Sequence, residues 1–244
     1  MTLHLLRLDP DPHQAARWFA AERLDPRRGE DDGYGWHALL CAAFGKEGAP
    51  RPFRLLSRRG RPPQLLAYSA APPAALEETA RAFADPLALA ALGLAEAPLA
   101  AKAMPQFAQG RRLGFTVRLR PTVRTDREGE RNRSAEIDAY VAALRAAERE
   151  AAEPPARAAV YAAWARGKLE AGGARVLDLS LDGLDRTKVA RRGKNRQLVG
   201  VDGHAAEAKG VIEVAEAGLF AQCLARGLGR HRAFGYGMLL LSPA

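Results

Sequence analysis

The segment LGFTVRLRP at residues 113–121 constrains the fold of this chain more tightly than any other stretch. Leu113, Phe115, Val117 and Leu119 alternate with Gly114, Thr116, Arg118 and Arg120. Successive side chains of a strand point to opposite faces, so this pattern predicts a strand with one apolar and one basic face. Such a strand belongs in a sheet whose core lies on one side, with helices covering that side.

Two runs of elements around this strand follow one order. The first begins with a leucine-rich strand at 2–8, followed by a helix from Pro12 to about Leu24 and a second helix from Gly33 to Phe44, with Asp31 or Asp32 as its N-cap. Strands at 52–58 and 63–70 are joined by the basic turn RGRPP, and a helix at 73–83 leads to a strand at 102–107. Strand, helix, hairpin, helix, strand is the order of a ferredoxin-like βαββαβ unit. The second run starts with the 113–121 strand and continues through TVRTDREGERNR, read as a mobile charged loop. Helices at 134–151, capped by Ser134, and at 155–173 precede a strand at 176–184, a basic loop at 185–197 and a strand at 208–215. A helix at 217–227 and a strand at 238–241 close the chain. The expected fold is therefore α+β, with two tandem ferredoxin-like (RRM-like, βαββαβ) domains built on antiparallel sheets. They span 1–108 and 109–244, the second carrying a helical insertion and a glycine-rich loop.

Charge narrows the partners. The 37 Lys and Arg residues against 28 Asp and Glu give a net charge of +9 and a pI near 10.1, which points to an anionic partner, either nucleic acid or a membrane surface. No apolar run approaches the roughly 18 residues of a membrane span, and Met1 leads directly into a strand-like segment. No strongly basic amphipathic helix with large apolar residues stands out. The expectation is a cytoplasmic protein with no membrane partner. Cys41 and Cys223 are too few and too distant for a zinc framework or redox pair, and the five histidines lack HxxxH or HExxH spacing. Neither a metal nor another cofactor is expected.

Three segments carry the functional signals. In RGLGRHRAFGYGMLLLSPA (226–244), Gly227, Gly229, Gly235 and Gly237 bracket Arg230, His231 and Arg232. Glycine lets backbone approach a ligand closely, and arginine supplies forked donors for phosphate. A dinucleotide fingerprint is excluded, because here a helix precedes the glycines and a strand follows. A helix C-cap followed by a tight turn would use the same glycines. In DRTKVARRGKNRQ (185–197), Arg186, Lys188, Arg191, Arg192, Lys194 and Arg196 outnumber Asp185. Such a run lines a nucleic-acid groove or forms a solvated loop. On the helix at 33–44, Trp36, Leu39, Leu40 and Ala43 form a core stripe, and Tyr34, His37 and Cys41 a neighbouring one. A helix N-terminus favours phosphate and biases a nearby imidazole toward neutrality, the form that serves as a general base. An ordinary amphipathic helix with Tyr and His at the core's edge gives the same pattern.

The early Y-x-x-H helix, two ferredoxin-like units and the terminal ARGLGRHRAFGYGMLLLSP together resemble the CasE family of CRISPR repeat-processing endoribonucleases, the crRNA-maturing subunit of type I-E Cascade. The FTVRLRP segment resembles the family's F-x-LRANP strand, although Pro121 follows RLR with no Ala–Asn pair. AEIDAYVAAL (135–144) also resembles a family helix, whereas the helical insertion at about 145–172 is longer here. The resemblance implies metal-independent cleavage of CRISPR precursor RNA at the base of the repeat hairpin. The upstream 2′-hydroxyl attacks, leaving a 2′,3′-cyclic phosphate and a 5′-hydroxyl, and the protein stays bound as a Cascade subunit. In that scheme His37 is the general base or acid and Tyr34 orients the hydroxyl or donates to a phosphate oxygen. Lys194, or secondarily Lys188, stabilises charge on phosphorus, and His231 is a rival catalytic candidate. The 186–196 cluster, with Arg118 and Arg120, would line the RNA groove, and Gly227–Gly237 with Arg230 and Arg232 would hold phosphates. The alternative is a non-catalytic RNA-binding scaffold subunit of a ribonucleoprotein.

Overall fold

The structure is a computed structural model that describes residues 2–24, 30–57, 60–125, 135–192 and 198–244, with backbone alone at 30, 125, 135, 189–192 and 198–201. The first run of elements is β1 (His4–Leu8), α1 (Pro12–Ala21), β2 (Glu30–Asp31), α2 (Gly33–Gly48), β3 (Phe53–Leu56), β4 (Gln64–Ser69), α3 (Pro73–Phe83), α4 (Pro86–Ala91) and β5 (Ala100–Ala103). Its antiparallel sheet has the order β3-β4-β1-β5, that of a ferredoxin-like unit. Local chemistry sets the helix ends. Asp11 caps α1 by accepting from the amides of His13 and Gln14 at 2.8 and 3.0 Å, with Pro12 pre-set in the first turn. Gly45, at φ +75°, breaks the helical path of α2 near its C-terminal end.

The leucine richness of β1 has a tertiary cause. Leu6 and Leu8, with Leu65 and Ala67 of β4, pack under Trp18, Leu39 and Leu40 of the helices, while Leu5, Leu66 and Tyr68 face the other way, into a second core. Both faces of this sheet are thus covered. Tyr68 is 1% exposed, and its hydroxyl donates to the carbonyl of Leu239 at 2.9 Å, tying the first sheet to the end of the chain.

The second run comprises β6 (Arg112–Leu119), β7 (Thr122–Thr125), β8 (Ala135–Asp138), α5 (Ala139–Arg149), α6 (Arg157–Ala171), β9 (Ala174–Arg192), β10 (Leu198–Val214), α7 (Ala217–Arg226) and β11 (Leu240–Pro243). Its sheet runs β11-β6-β10-β9, all antiparallel, with β2 added in parallel at the β9 edge. Leu113, Phe115, Val117 and Leu119 are all buried against α6 and α7, as their alternation predicts. The fold is therefore α+β with two ferredoxin-like sheets.

Several boundaries differ from the sequence reading. The 185–197 stretch is not a loop over its described part: β9 continues through Arg192 and β10 begins at Leu198, so strands expected at 176–184 and 208–215 are the bases of a long hairpin. Residues 193–197 lie outside the described residues. Alternation marks a strand only where one face is covered, and a charged ribbon satisfied by its own ladder leaves no such mark. Likewise 122–125, read as part of a loop, forms β7 paired with β8, and 126–134 lie outside the described residues. The helix expected from Ser134 starts at Ala139, capped by Asp138, whose carboxylate accepts from the Tyr140 amide at 2.8 Å. The strand expected at 102–107 is β5 at Ala100–Ala103, and the last strand is shifted to Leu240–Pro243.

Tyr68→Phe removes the only donor that the Tyr68 ring offers while leaving its packing intact. It should lower stability by about 1–3 kcal/mol in urea unfolding, because the Leu239 carbonyl loses its partner in a buried setting.

Candidate functional site

The start of α2 is fixed by a buried carboxylate. Asp31, whose side chain is 4% exposed, accepts from the Gly33 amide at 2.8 Å through Oδ1. Its Oδ2 accepts from Arg118 Nη2 at 3.0 Å and from the Tyr236 hydroxyl at 3.1 Å. The Arg118 guanidinium also lies 5.0 Å from the Tyr236 ring centroid. Neighbouring Asp32 accepts from Trp36 Nε1 at 2.8 Å, and burial raises its carboxyl above the usual range despite that bond. One residue of β2, one of β6 and one of the glycine-rich loop thereby meet at the N-terminus of α2.

The glycine-rich loop then closes over the helix. A Cβ at Gly33 would overlap the carbonyl of Phe234, so only glycine allows the loop this close. The Phe234 ring lies 5.9 Å from Tyr34 and stands edge-on to His37 at 5.6 Å. Both are half-buried. Burial lowers the His37 pKa from 6.5, and Arg51 lowers it further, so the imidazole is neutral at physiological pH. Cys41 Sγ sits 3.8 Å from the His37 ring nitrogens, and burial raises this thiol.

The other side of the loop is pinned by Glu136 of β8. Its Oε1 lies 2.6 Å from His231 Nε2 and its Oε2 3.0 Å from Arg230 Nε. The His231 hydrogen bond is the leading cause that lowers the Glu136 pKa to about 2. His231 itself holds a left-handed conformation at φ +60°. Between the loop, β7–β8 and α6 runs an open groove of about 1290 Å³, bordered by Phe234 and Trp164.

The sequence-predicted residues fall in several different settings. Tyr34 and His37 come together under the loop, with Gly227, Gly229, Gly235 and Gly237 all at positive φ, as its turn requires. Arg230 is held by Glu136, and Arg232 donates to the Arg226 carbonyl at 2.7 Å, both at the groove. Arg118 and Arg120, expected on a basic face, turn inward instead. Arg118 is committed to Asp31, and Arg120 is 2% exposed, its Nη1 reaching across Gly203 to Thr187 Oγ1 at 3.3 Å. That face of β6 is covered by the loop and by β2, contacts invisible in a strand pattern. Arg186 is exposed on β9, and Lys188 is half-buried in register with Asp202 of β10 and Glu30 of β2. β2 thus sets the basic hairpin beside the start of α2. Arg191 and Arg192 have described backbone only, and Lys194 and Arg196 lie outside the described residues. Among the described residues, no three His, Cys, Asp or Glu side chains converge on a metal-sized site, and no helix is long and apolar enough to cross a membrane.

The sequence reading missed Asp31 as a tether, Glu136 as the pin of the loop, and Phe234 as the contact with α2. Phe234 had a signal, an aromatic flanked by the glycine-rich turn. The other two depend on contacts 87 and 95 residues apart in the chain, respectively Asp31 with Arg118 and Glu136 with His231.

Paired ferredoxin-like sheets, a glycine-rich loop laid over a Tyr/His helix and a groove lined by basic side chains define the class of protein. The chain belongs to the CRISPR associated protein family, whose model matches residues 3–243. A structure of CRISPR endoribonuclease Cse3 bound to 19 nt RNA is similar over 100% of both chains, with 22% identity and a TM-score of 0.63. Thermus thermophilus Cse3 bound to an RNA representing a pre-cleavage complex gives 20% identity and 0.62, again over 100% of both chains. The CRISPR-associated protein Cas6e from Escherichia coli K-12 gives 17% and 0.56 over the same coverage. At these identities the likeness is one of fold. A search of curated proteins found no match.

If His37 is neutral for the reasons given, its imidazole titrates below 6.5 in an NMR pH series. Arg51→Gln removes a charge that disfavours protonation and so moves the midpoint upward. It remains below 6.5, because burial is the larger cause.

Proposed function

We propose that this protein is a metal-independent endoribonuclease that cleaves CRISPR precursor RNA at the base of the repeat hairpin and stays bound as a Cascade subunit. The observation that carries this reading is the contact of Tyr34 and His37 with Phe234, which sets a neutral imidazole and a phenol under the glycine-rich loop. Family membership and the likeness in fold to RNA-bound Cse3 support it.

In this reaction the neutral His37 ring takes the proton of the 2′-hydroxyl beside the scissile phosphate. The 2′-oxygen forms a bond to phosphorus, the P–O5′ bond breaks, and O5′ acquires a proton to leave as a 5′-hydroxyl beside a 2′,3′-cyclic phosphate. Tyr34 orients the nucleophile or donates through its hydroxyl to a phosphate oxygen. A cation of the 186–196 cluster, Lys194 as the first choice and Lys188 as the second, stabilises the charge developing on phosphorus. A-form RNA hides its base edges in a deep, narrow groove, so a basic hairpin suits a stem read through shape and phosphates.

His37→Ala should reduce cleavage of the protein's own repeat hairpin by about 100-fold or more, the range of general acid–base catalysis, while hairpin affinity changes little. Cleavage should persist in EDTA and yield a cyclic-phosphate end. Hairpin binding with no cleavage by the wild-type protein would instead identify a scaffold subunit, and loss of activity in EDTA would refute metal independence.

A further inference from the structure

The groove of about 1290 Å³ exceeds the roughly 300–1,000 Å³ of a small-molecule pocket. Six exposed cations line it: Arg51, Arg124, Lys168, Arg226, Arg230 and Arg232. Against them stands one carboxylate, Glu136, already engaged by His231 and Arg230. Two half-buried aromatic rings border the groove, Trp164 of α6 and Phe234 of the glycine-rich loop.

We propose that this groove is a subsite for an unpaired stretch of RNA contiguous with the hairpin, with Trp164 as a base-stacking platform. The proposal rests on the nuclease reading above and adds a second RNA surface to it. With Arg230 paired to Glu136, the five other cations call for a polyanion. The aromatic rings choose between its two forms. A duplex keeps its base faces inside its own stack and gains nothing from a ring, whereas unpaired bases stack on it. Trp164 is also held for that task. Its Nε1 donates to the Thr122 carbonyl at 3.1 Å, and Gly229, at φ +69°, lets the loop lie against the ring edge where a Cβ would meet the indole at 2.6 Å. Lys168 Nζ rests 5.5 Å from the indole centroid, on a flexible stem that can pass to a phosphate when a base occupies the ring. Continuity with the hairpin follows from Phe234, which borders the groove and touches His37 and Tyr34 as well. A strand leaving the scissile phosphate enters the groove at that ring.

The test compares the protein's own repeat RNA as a bare hairpin and with single-stranded tails of about 8 nucleotides on either side, within the span of a single-strand groove. A 2′-deoxy substitution at the cleavage site keeps the RNA intact. A tail on one side should tighten binding about tenfold, the worth of one base stacked on an aromatic ring. Trp164 fluorescence should be quenched by the tailed RNA and not by the bare hairpin, and Trp18 and Trp36, at 5% and 4% exposure, leave Trp164 as the responsive indole. Trp164→Leu should bring the tailed-to-bare affinity ratio to about one. The exposed pair Lys168→Ala/Arg124→Ala, which leaves the indole's bond to the Thr122 carbonyl in place, should shrink the ratio and flatten its salt dependence. Equal wild-type affinity for tailed and bare hairpins overturns the subsite, as does a gain that survives Trp164→Leu. Cleavage of the unmodified bare hairpin, measured in parallel, reports on the nuclease reading alone. A protein that cuts it yet gains nothing from any tail keeps that reading and loses this one.

Discussion

The Asp31 carboxylate is the interaction on which the site depends. A carboxylate removed from water without partners costs several kcal/mol, and Asp31 offsets this by accepting from three donors, each from a different part of the chain. The Gly33 amide belongs to α2, Arg118 to the second sheet, and Tyr236 to the glycine-rich loop. Because the three donors converge on one carboxylate, the helix that bears Tyr34 and His37 cannot rotate or slide without leaving a buried charge unmatched. The Arg118–Tyr236 contact and the Trp36–Asp32 bond tighten the same joint from either side.

From this joint the remaining geometry follows by contact. Tyr236 is fully buried, so the backbone around it is fixed, and Gly237 donates its amide to the Arg118 carbonyl at 2.7 Å. Gly237, at φ +75°, also sits where a Cβ would strike the Leu228 carbonyl, so the loop takes this path only with glycine there. Phe234 is then presented to His37 and Tyr34, while Glu136 holds His231 and Arg230 on the far side. The loop is a strap fastened at both edges, with one aromatic ring on His37 and Tyr34 and its arginines on the groove. The low basicity of His37 results from this covering, since burial is its leading cause.

The basic hairpin illustrates a different constraint. The β9–β10 ladder begins in the core of the second unit, where Val176, Ile212 and Val214 are buried, and continues to Arg186, which is exposed, and Lys188, which is half-buried. β2 pairs with it at Lys188 and Val189, so this part of the hairpin lies beside the start of α2. A structural device of two residues thus sets a cationic arm next to the Tyr/His pair.

What the sequence by itself determined was whatever is written in local periodicity and local backbone chemistry. The alternation at 113–119 placed a buried strand, Trp36, Leu39, Leu40 and Ala43 marked the core face of α2, and the order of elements gave two ferredoxin-like units. Tyr34 and His37 were legible as a pair because a helix turn puts residues three apart on one side. The tertiary structure alone decided the direction of side chains whose partners lie far away in the chain. Arg118 and Arg120 looked like a solvent-facing basic stripe and are instead covered, because β2 and the loop pack on a face that the strand pattern marks only as polar. Glu136, Phe234 and Trp164 acquire their roles only where β8, the loop and α6 converge. No short window of sequence contains such a convergence, because it arises from packing between elements rather than from the preferences of any one of them.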